Sequence, residues 1–131
     1  MIGQPTRSMA AGALLAVLLL GAAPPAPATL RTIEQAYELT RSQVQLPGRP
    51  DGSLTLRPCP DCRFVVLRTT AATAWFTQPG ARQPAGHAAV LAAFRAAATN
   101  PATLVYVYYE PQTLRVRRVV LDVPGTAPNP V

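Results

Sequence analysis

LVYVYYEPQTLRVRRVVLDV, residues 104–123, is the stretch on which the fold of this chain turns. Leu104–Tyr109 alternates aliphatic and aromatic residues with the period of two expected of a strand. Tyr106 and Tyr108 share one side with Leu104, while Val105 and Val107 occupy the other, so one of these sets must be core. Glu110-Pro111-Gln112-Thr113 turns the chain, and Leu114–Val123 returns along it. The returning strand changes phase. Leu114 and Val116 point one way, but Val119, Leu121 and Val123 have the opposite parity. One extra residue near Arg117-Arg118, a β-bulge, puts both sets on one face.

Upstream the same period recurs. Leu54 and Leu56 alternate with Thr55 and Arg57 over Ser53–Arg57, Phe64–Thr70 is rich in branched and aromatic residues, and Thr73–Thr77 is a third short strand. Gln78–Gly86 carries two prolines and two glycines and reads as a loop. His87–Ala98 is the clearest helix, with Val90, Leu91, Phe94, Ala97 and Ala98 on one stripe and Asn100-Pro101 as its stop. The order β-β-β-α-β-β predicts a mainly β domain with one helix over 53–123, built as a small five-stranded OB-like barrel. The alternative is an open twisted antiparallel sheet carrying one packed helix. Residues 29–52 read as an irregular lead-in. Within it, Thr32 to Gln35 matches a capping box ahead of a short helix or extended segment from about 33 to 41. Residues 124–131, with three prolines, read as a disordered tail.

The chain opens with Arg7 as its only charge before Arg31, an uninterrupted apolar run from Met9 to Ala23, and the small-residue exit Ala26-Pro27-Ala28. These are the parts of a secretory signal peptide, residues 1–28, with cleavage after Ala28. A membrane anchor is the competing reading. The run is shorter than the roughly 20 residues a spanning helix needs, and Pro24, Pro25 and Pro27 end it. No cysteine follows Leu20-Gly21 to take a lipid. The expectation is a periplasmic protein with no stable membrane anchor after cleavage.

Composition excludes several chemistries. All 12 basic residues are arginine, which rules out a Schiff-base lysine or a lysine general base. His87 is the only histidine, and beyond the leader serine occurs only at Ser42 and Ser53, neither in a nucleophile-elbow setting. An enzyme is therefore not expected, and no cofactor is implied. The formal net charge of +6 would favour anionic partners, although the arginines are scattered rather than clustered.

Cys59-Pro60-Asp61-Cys62 admits three readings. Two thiolates on one tight turn are half of many zinc sites, with His87 as the third ligand at hand. A redox pair would want the first cysteine at a helix N-terminus, and here strands lie on both sides. The third reading is a disulfide formed in an oxidising compartment, with Pro60 and Asp61 at the centre of a type I turn. That staple, Cys59 to Cys62, is the expected state. Arg63 stands where covalent haem attachment needs histidine.

The pattern of leader, strand ending in a cysteine pair (Leu54–Cys62), threonine-aromatic segment (Thr73-Ala74-Trp75-Phe76), short helix around Leu91 and Phe94, and closing strand pair resembles a group of small, uncharacterised exported proteins of gammaproteobacteria. The likeness covers about residues 53–122. It implies export and architecture, and it carries no activity, cofactor or catalytic residue. Trp75, Phe76, Tyr106 and Tyr108 are the candidate binding face, since OB-type barrels stack ligands on such rings. The expected function is a non-enzymatic binding or structural module of the periplasm. Its partner would be an envelope protein, a peptide or an anionic glycan rather than nucleic acid. The rival is a thiol-redox or metal-handling protein using the cysteine pair.

Overall fold

The structure, a computed structural model, describes residues 33–125 together with Gly3, Gly21 and residues 23–26. The leader and anchor readings, the Thr32 cap and the tail from residue 126 onward fall outside the described residues. Among those described, no helix is long and apolar enough to cross a membrane. The chain divides into two units, Met1–Leu30 and Arg31–Val131, and the fold is that of the second.

Among the described residues seven strands and one α-helix follow in order: β1 (Gln35–Thr40), β2 (Val44–Gln45), β3 (Gly52–Leu56), β4 (Val65–Thr69), β5 (Ala74–Phe76), α1 (His87–Ala96), β6 (Leu104–Glu110) and β7 (Arg115–Asp122). All strands join one open sheet in the order β1-β6-β7-β4-β3-β2, with β5 also paired to β7. The five strands and the helix expected between 53 and 123 are all present. The five-stranded OB-like barrel is not formed. No ladder joins the two edge strands, so the sheet stays open and comes nearer the alternative, although β4 and β5 run parallel to β7.

The lead-in supplies the two additional strands. Gln35–Thr40 is extended and pairs with β6 throughout, while Val44 and Gln45 pair with β3. A single 3-10 turn, Arg41–Gln43, links them. Three residues span only about 10 Å, so the sheet must curl until its opposite edges share this corner. The Thr40 backbone N–H donates to Gln43 Oε1 at 2.8 Å, which holds the turn. Arg41 pins it to α1: its Nε donates to the Phe94 carbonyl at 2.8 Å, and its guanidinium lies 4.5 Å from the Phe94 ring centre. A cation near a helix C-terminus meets the negative end of the helix dipole.

The β6–β7 hairpin fixes the centre of the sheet. Tyr108 pairs with Arg118 but Tyr109 with Val116, leaving Arg117 as the extra residue of a bulge. Val116, Val119 and Leu121 are thereby all buried on one face. Leu114, read as inward-facing, instead sits in the turn at φ 58° with its side chain exposed. Its N–H donates to the Glu110 carbonyl, and its own carbonyl accepts from Arg68 N–H, so the hairpin tip is tied to β4.

Between β4 and β5 the chain changes place along β7. Arg68 pairs with Arg115, and then Ala74, Trp75 and Phe76 pair with Arg118, Val119 and Val120. Buried Thr73 bridges the step, its Oγ1 donating to the Val116 carbonyl and accepting from Thr70 N–H, both at 2.9 Å. The helix closes the concave side. Gly86 enters it at φ 94°, a left-handed value that glycine adopts without strain, and Val90, Phe94 and Ala97 face inward at helical spacing. Val90 and Phe94 meet Leu39, Leu54, Leu56, Leu67, Val105, Val107 and the β7 set in one core. Ala98, placed on the same stripe by spacing, is exposed because the last turn tightens to a 3-10 helix.

Candidate functional site

Val105 and Val107 fill the core, so Tyr106 and Tyr108, which alternate with them, are turned to the outer face. Across β5, β7, β6 and β1 that face carries two rows in register. Phe76, Val120, Tyr106 and Glu38 form one; Ala74, Arg118, Tyr108 and Ala36 form the other. Phe76, Tyr106 and Tyr108 are half-buried. With the Gln78–Ala81 loop, Arg118, Val120 and Asp122 they line a depression of about 360 Å³. The chain beyond this loop is anchored to β5 just before it enters α1, with Ala85 and Gly86 N–H both donating to the Trp75 carbonyl.

Arg118 is held twice. Its guanidinium carbon lies 3.9 Å from the Tyr108 ring centre, and Nη2 donates to Glu34 Oε1 at 3.0 Å. Glu34 Oε2 also lies 3.6 Å from Arg117 Nε. Tyr106 keeps its proton above the ordinary tyrosine range, chiefly through burial and then through the charges of Glu38 and Asp122. Two carboxylates thus act on that phenol, on a chain of positive net charge.

Three of the four residues expected on an aromatic face come together here, and the fourth does not. Trp75 is only 3% exposed and belongs to the core, its ring meeting His87 edge-on with centres 4.8 Å apart. The reason lies in the pleat: adjacent residues of one strand point to opposite faces, so Trp75 and Phe76 cannot share one. Its Nε1 is buried without a hydrogen-bond partner among the described residues. The groove residues that sequence reading missed, Arg118, Val120 and Asp122, have the outward parity of β7 beyond the bulge. That parity was readable once the bulge was placed.

The cysteine pair sits elsewhere. Cys59 and Cys62 are joined in a disulfide, with Cα atoms 5.0 Å apart. The Cys62 N–H donates to the Cys59 carbonyl at 3.1 Å, closing the turn expected of Pro60 and Asp61. Arg57 Nε donates to the Cys62 carbonyl, its guanidinium covers exposed Phe64, and Gln43 Nε2 donates to the Pro58 carbonyl. The staple thus locks the β3–β4 connection beside the β1–β2 corner. A second depression of about 380 Å³ runs past Gln45, Thr55, Arg57, Cys59 and Phe64. His87 stands at the start of α1. It is half-buried, Nε2 donates to the Pro47 carbonyl at 2.7 Å, and its ring packs on Trp75. It does not join the cysteines: among the described residues no three His, Cys, Asp or Glu side chains gather as a metal site.

A seven-stranded curled sheet with one helix and an aromatic groove on its convex face is the class these features define. Comparison with protein-family models, curated proteins and solved structures finds no match to this chain.

Proposed function

We propose that this protein is an exported, non-enzymatic binding module whose ligand lies in the groove of Phe76, Tyr106 and Tyr108. One observation carries the reading: three aromatic rings from two strands are held half-exposed, in register, around a depression of about 360 Å³ on the solvent face of the sheet. Rings presented this way offer large, rigid contact area at small cost in side-chain entropy. The depression is also of the size that small-ligand sites occupy. Export rests on the composition of residues 1–28 and on the disulfide, which persists in oxidising compartments. The shared corner between the sheet's edges is what favours an OB-like relationship, and the likeness to small exported gammaproteobacterial proteins points to the same location.

The rival use of the cysteine pair has less behind it. A thiol-redox centre needs a cysteine activated at a helix N-terminus or by a base, and Cys62 is followed by β4 rather than by a helix.

The test is a binding screen of immobilised peptides and oligosaccharides against the folded protein, repeated with Tyr106→Leu plus Tyr108→Leu and with Cys59→Ser plus Cys62→Ser. The groove reading predicts that the tyrosine variant loses its ligand with an unchanged melting temperature, while the cysteine variant keeps it. Binding that survives the loss of both tyrosines removes the groove as the site. Binding or activity lost only with the cysteines, in a protein that still folds, installs the rival.

A further inference from the structure

Resting on that reading, we infer that the groove recognises a single alkylammonium head group, of the quaternary-ammonium class, on a small free ligand. The charges around it select the class. Among the described residues Arg118 is the one cation lining the depression, and it is engaged by Glu34 and by the ring of Tyr108. Asp122, which lines the groove, and Glu38, which stands opposite Tyr106, have no ion-pair partner among the described residues. Along the outer face of β7 the order is Arg118, Val120, Asp122, so Asp122 lies on the far side of the Phe76–Val120–Tyr106 row from Arg118. An arriving cation therefore finds the rings of Phe76 and Tyr106 and a carboxylate roughly 13 Å of strand away from the arginine.

Aromatic faces backed by carboxylates attract weakly hydrated cations, and quaternary ammonium groups are the ligands that such cages take. Tyr108 already holds a cation, Arg118, over its ring in the same geometry. An anion would meet the carboxylate of Asp122 in the groove, with Glu38 standing opposite Tyr106. A polybasic partner would be repelled by a chain of net charge +6, which leaves a ligand with one positive group. The exposed large apolar residues, Ile33, Phe64, Val66 and Leu114, do not line the depression. Among the described residues the groove thus has no large, fully exposed apolar side chain at its edge to seat on a bilayer, which favours a free ligand over a lipid head group.

The test is an NMR titration of the folded protein with choline, with a neutral oligosaccharide and with a sulfated one, following Phe76, Tyr106 and Val120. Choline is expected to shift these signals. Asp122→Asn should raise its Kd about fivefold or more, and Tyr106→Leu should abolish the shift, both with unchanged melting temperatures. If either oligosaccharide moves the same signals and choline does not, the groove binds but the ammonium assignment is wrong. Silence from all three ligands overturns the assignment and counts against the groove itself. Choline affinity equal in wild type and Asp122→Asn also overturns it. Capture by phosphatidylcholine vesicles without binding of free choline moves the ligand into a membrane and refutes the free-ligand assignment.

Discussion

Deleting one residue of β7 should be nearly harmless at Arg117 and severe at Val120. In the bulge, Arg117 and Arg118 together oppose Tyr108, and Val116 and Val119 are inward on either side. Removing Arg117 leaves Val116, Arg118 and Val119 in plain alternation, with every side chain on its present face. What is lost is a contact with Glu34 at 3.6 Å between side chains 53% and 30% exposed, and a pair so exposed contributes less than about 1 kcal/mol. Removing Val120 instead shifts everything beyond it by one, and a one-residue slip sends each side chain to the other face. Leu121, now fully buried, would be exposed at a cost of about 2 kcal/mol. Asp122 would turn into the core, adding about 2 kcal/mol or more for an unpaired buried polar group. A loss of about 4 kcal/mol is a large fraction of the roughly 5–15 kcal/mol by which a typical domain is stable. Thermal and urea unfolding followed by circular dichroism would read the contrast. The Arg117 deletion should melt within about 5 °C of wild type and the Val120 deletion at least about 15 °C lower, or not fold. Equal losses would refute the reasoning, because they would mean that the bend supplied by the bulge, rather than the facing of side chains, holds the core together.

Replacing both cysteines with serine should leave the fold intact and cost roughly 2 kcal/mol or less, because the closed loop is so short; a denaturant series with and without reductant on the wild type checks it independently. The Tyr109 hydroxyl has one proton to share between Gln35 Oε1 at 2.9 Å and Tyr37 Oη at 3.5 Å, and its ring stacks on that of Tyr37 with centres 5.2 Å apart. The bond to Tyr37, then burial, push its phenol up to about 12. Since the folded value lies above the unfolded one near 10, the stabilisation is complete below pH 10 and fades as pH climbs towards 12. Tyr37→Phe should bring the Tyr109 titration down, as read by ultraviolet absorbance, and flatten alkaline unfolding in that window. Leu114→Gly should raise stability by about 1 kcal/mol by relieving a left-handed backbone; a lower melting temperature would show that exposed Leu114 makes contacts worth more than the strain.

Much of this molecule is legible in local pattern. The bulge follows from a parity break between Val116 and Val119, and the helix from the spacing of Val90 and Phe94. The staple follows from two cysteines around Pro60-Asp61. Each depends on neighbours close in sequence, whose facing is dictated by backbone period. Local pattern equally separates Trp75 from Phe76. What it could not supply is any arrangement set by distant partners. Gln35–Thr40 has a pattern that suits helix or strand, and only the β6 edge beside it selects strand. β4 and β5 read as ordinary strands, yet their parallel pairing to β7 depends on Thr73 reaching the Val116 carbonyl 43 positions along the chain. The groove is of the same kind. Tyr106 and Tyr108 were visible as an alternating pair, but which face they took was decided by where the helix and Leu54, Leu56 and Leu67 placed the core. Once Val105 and Val107 were drawn into it, the tyrosines, Phe76 and Asp122 had no face left but the outer one.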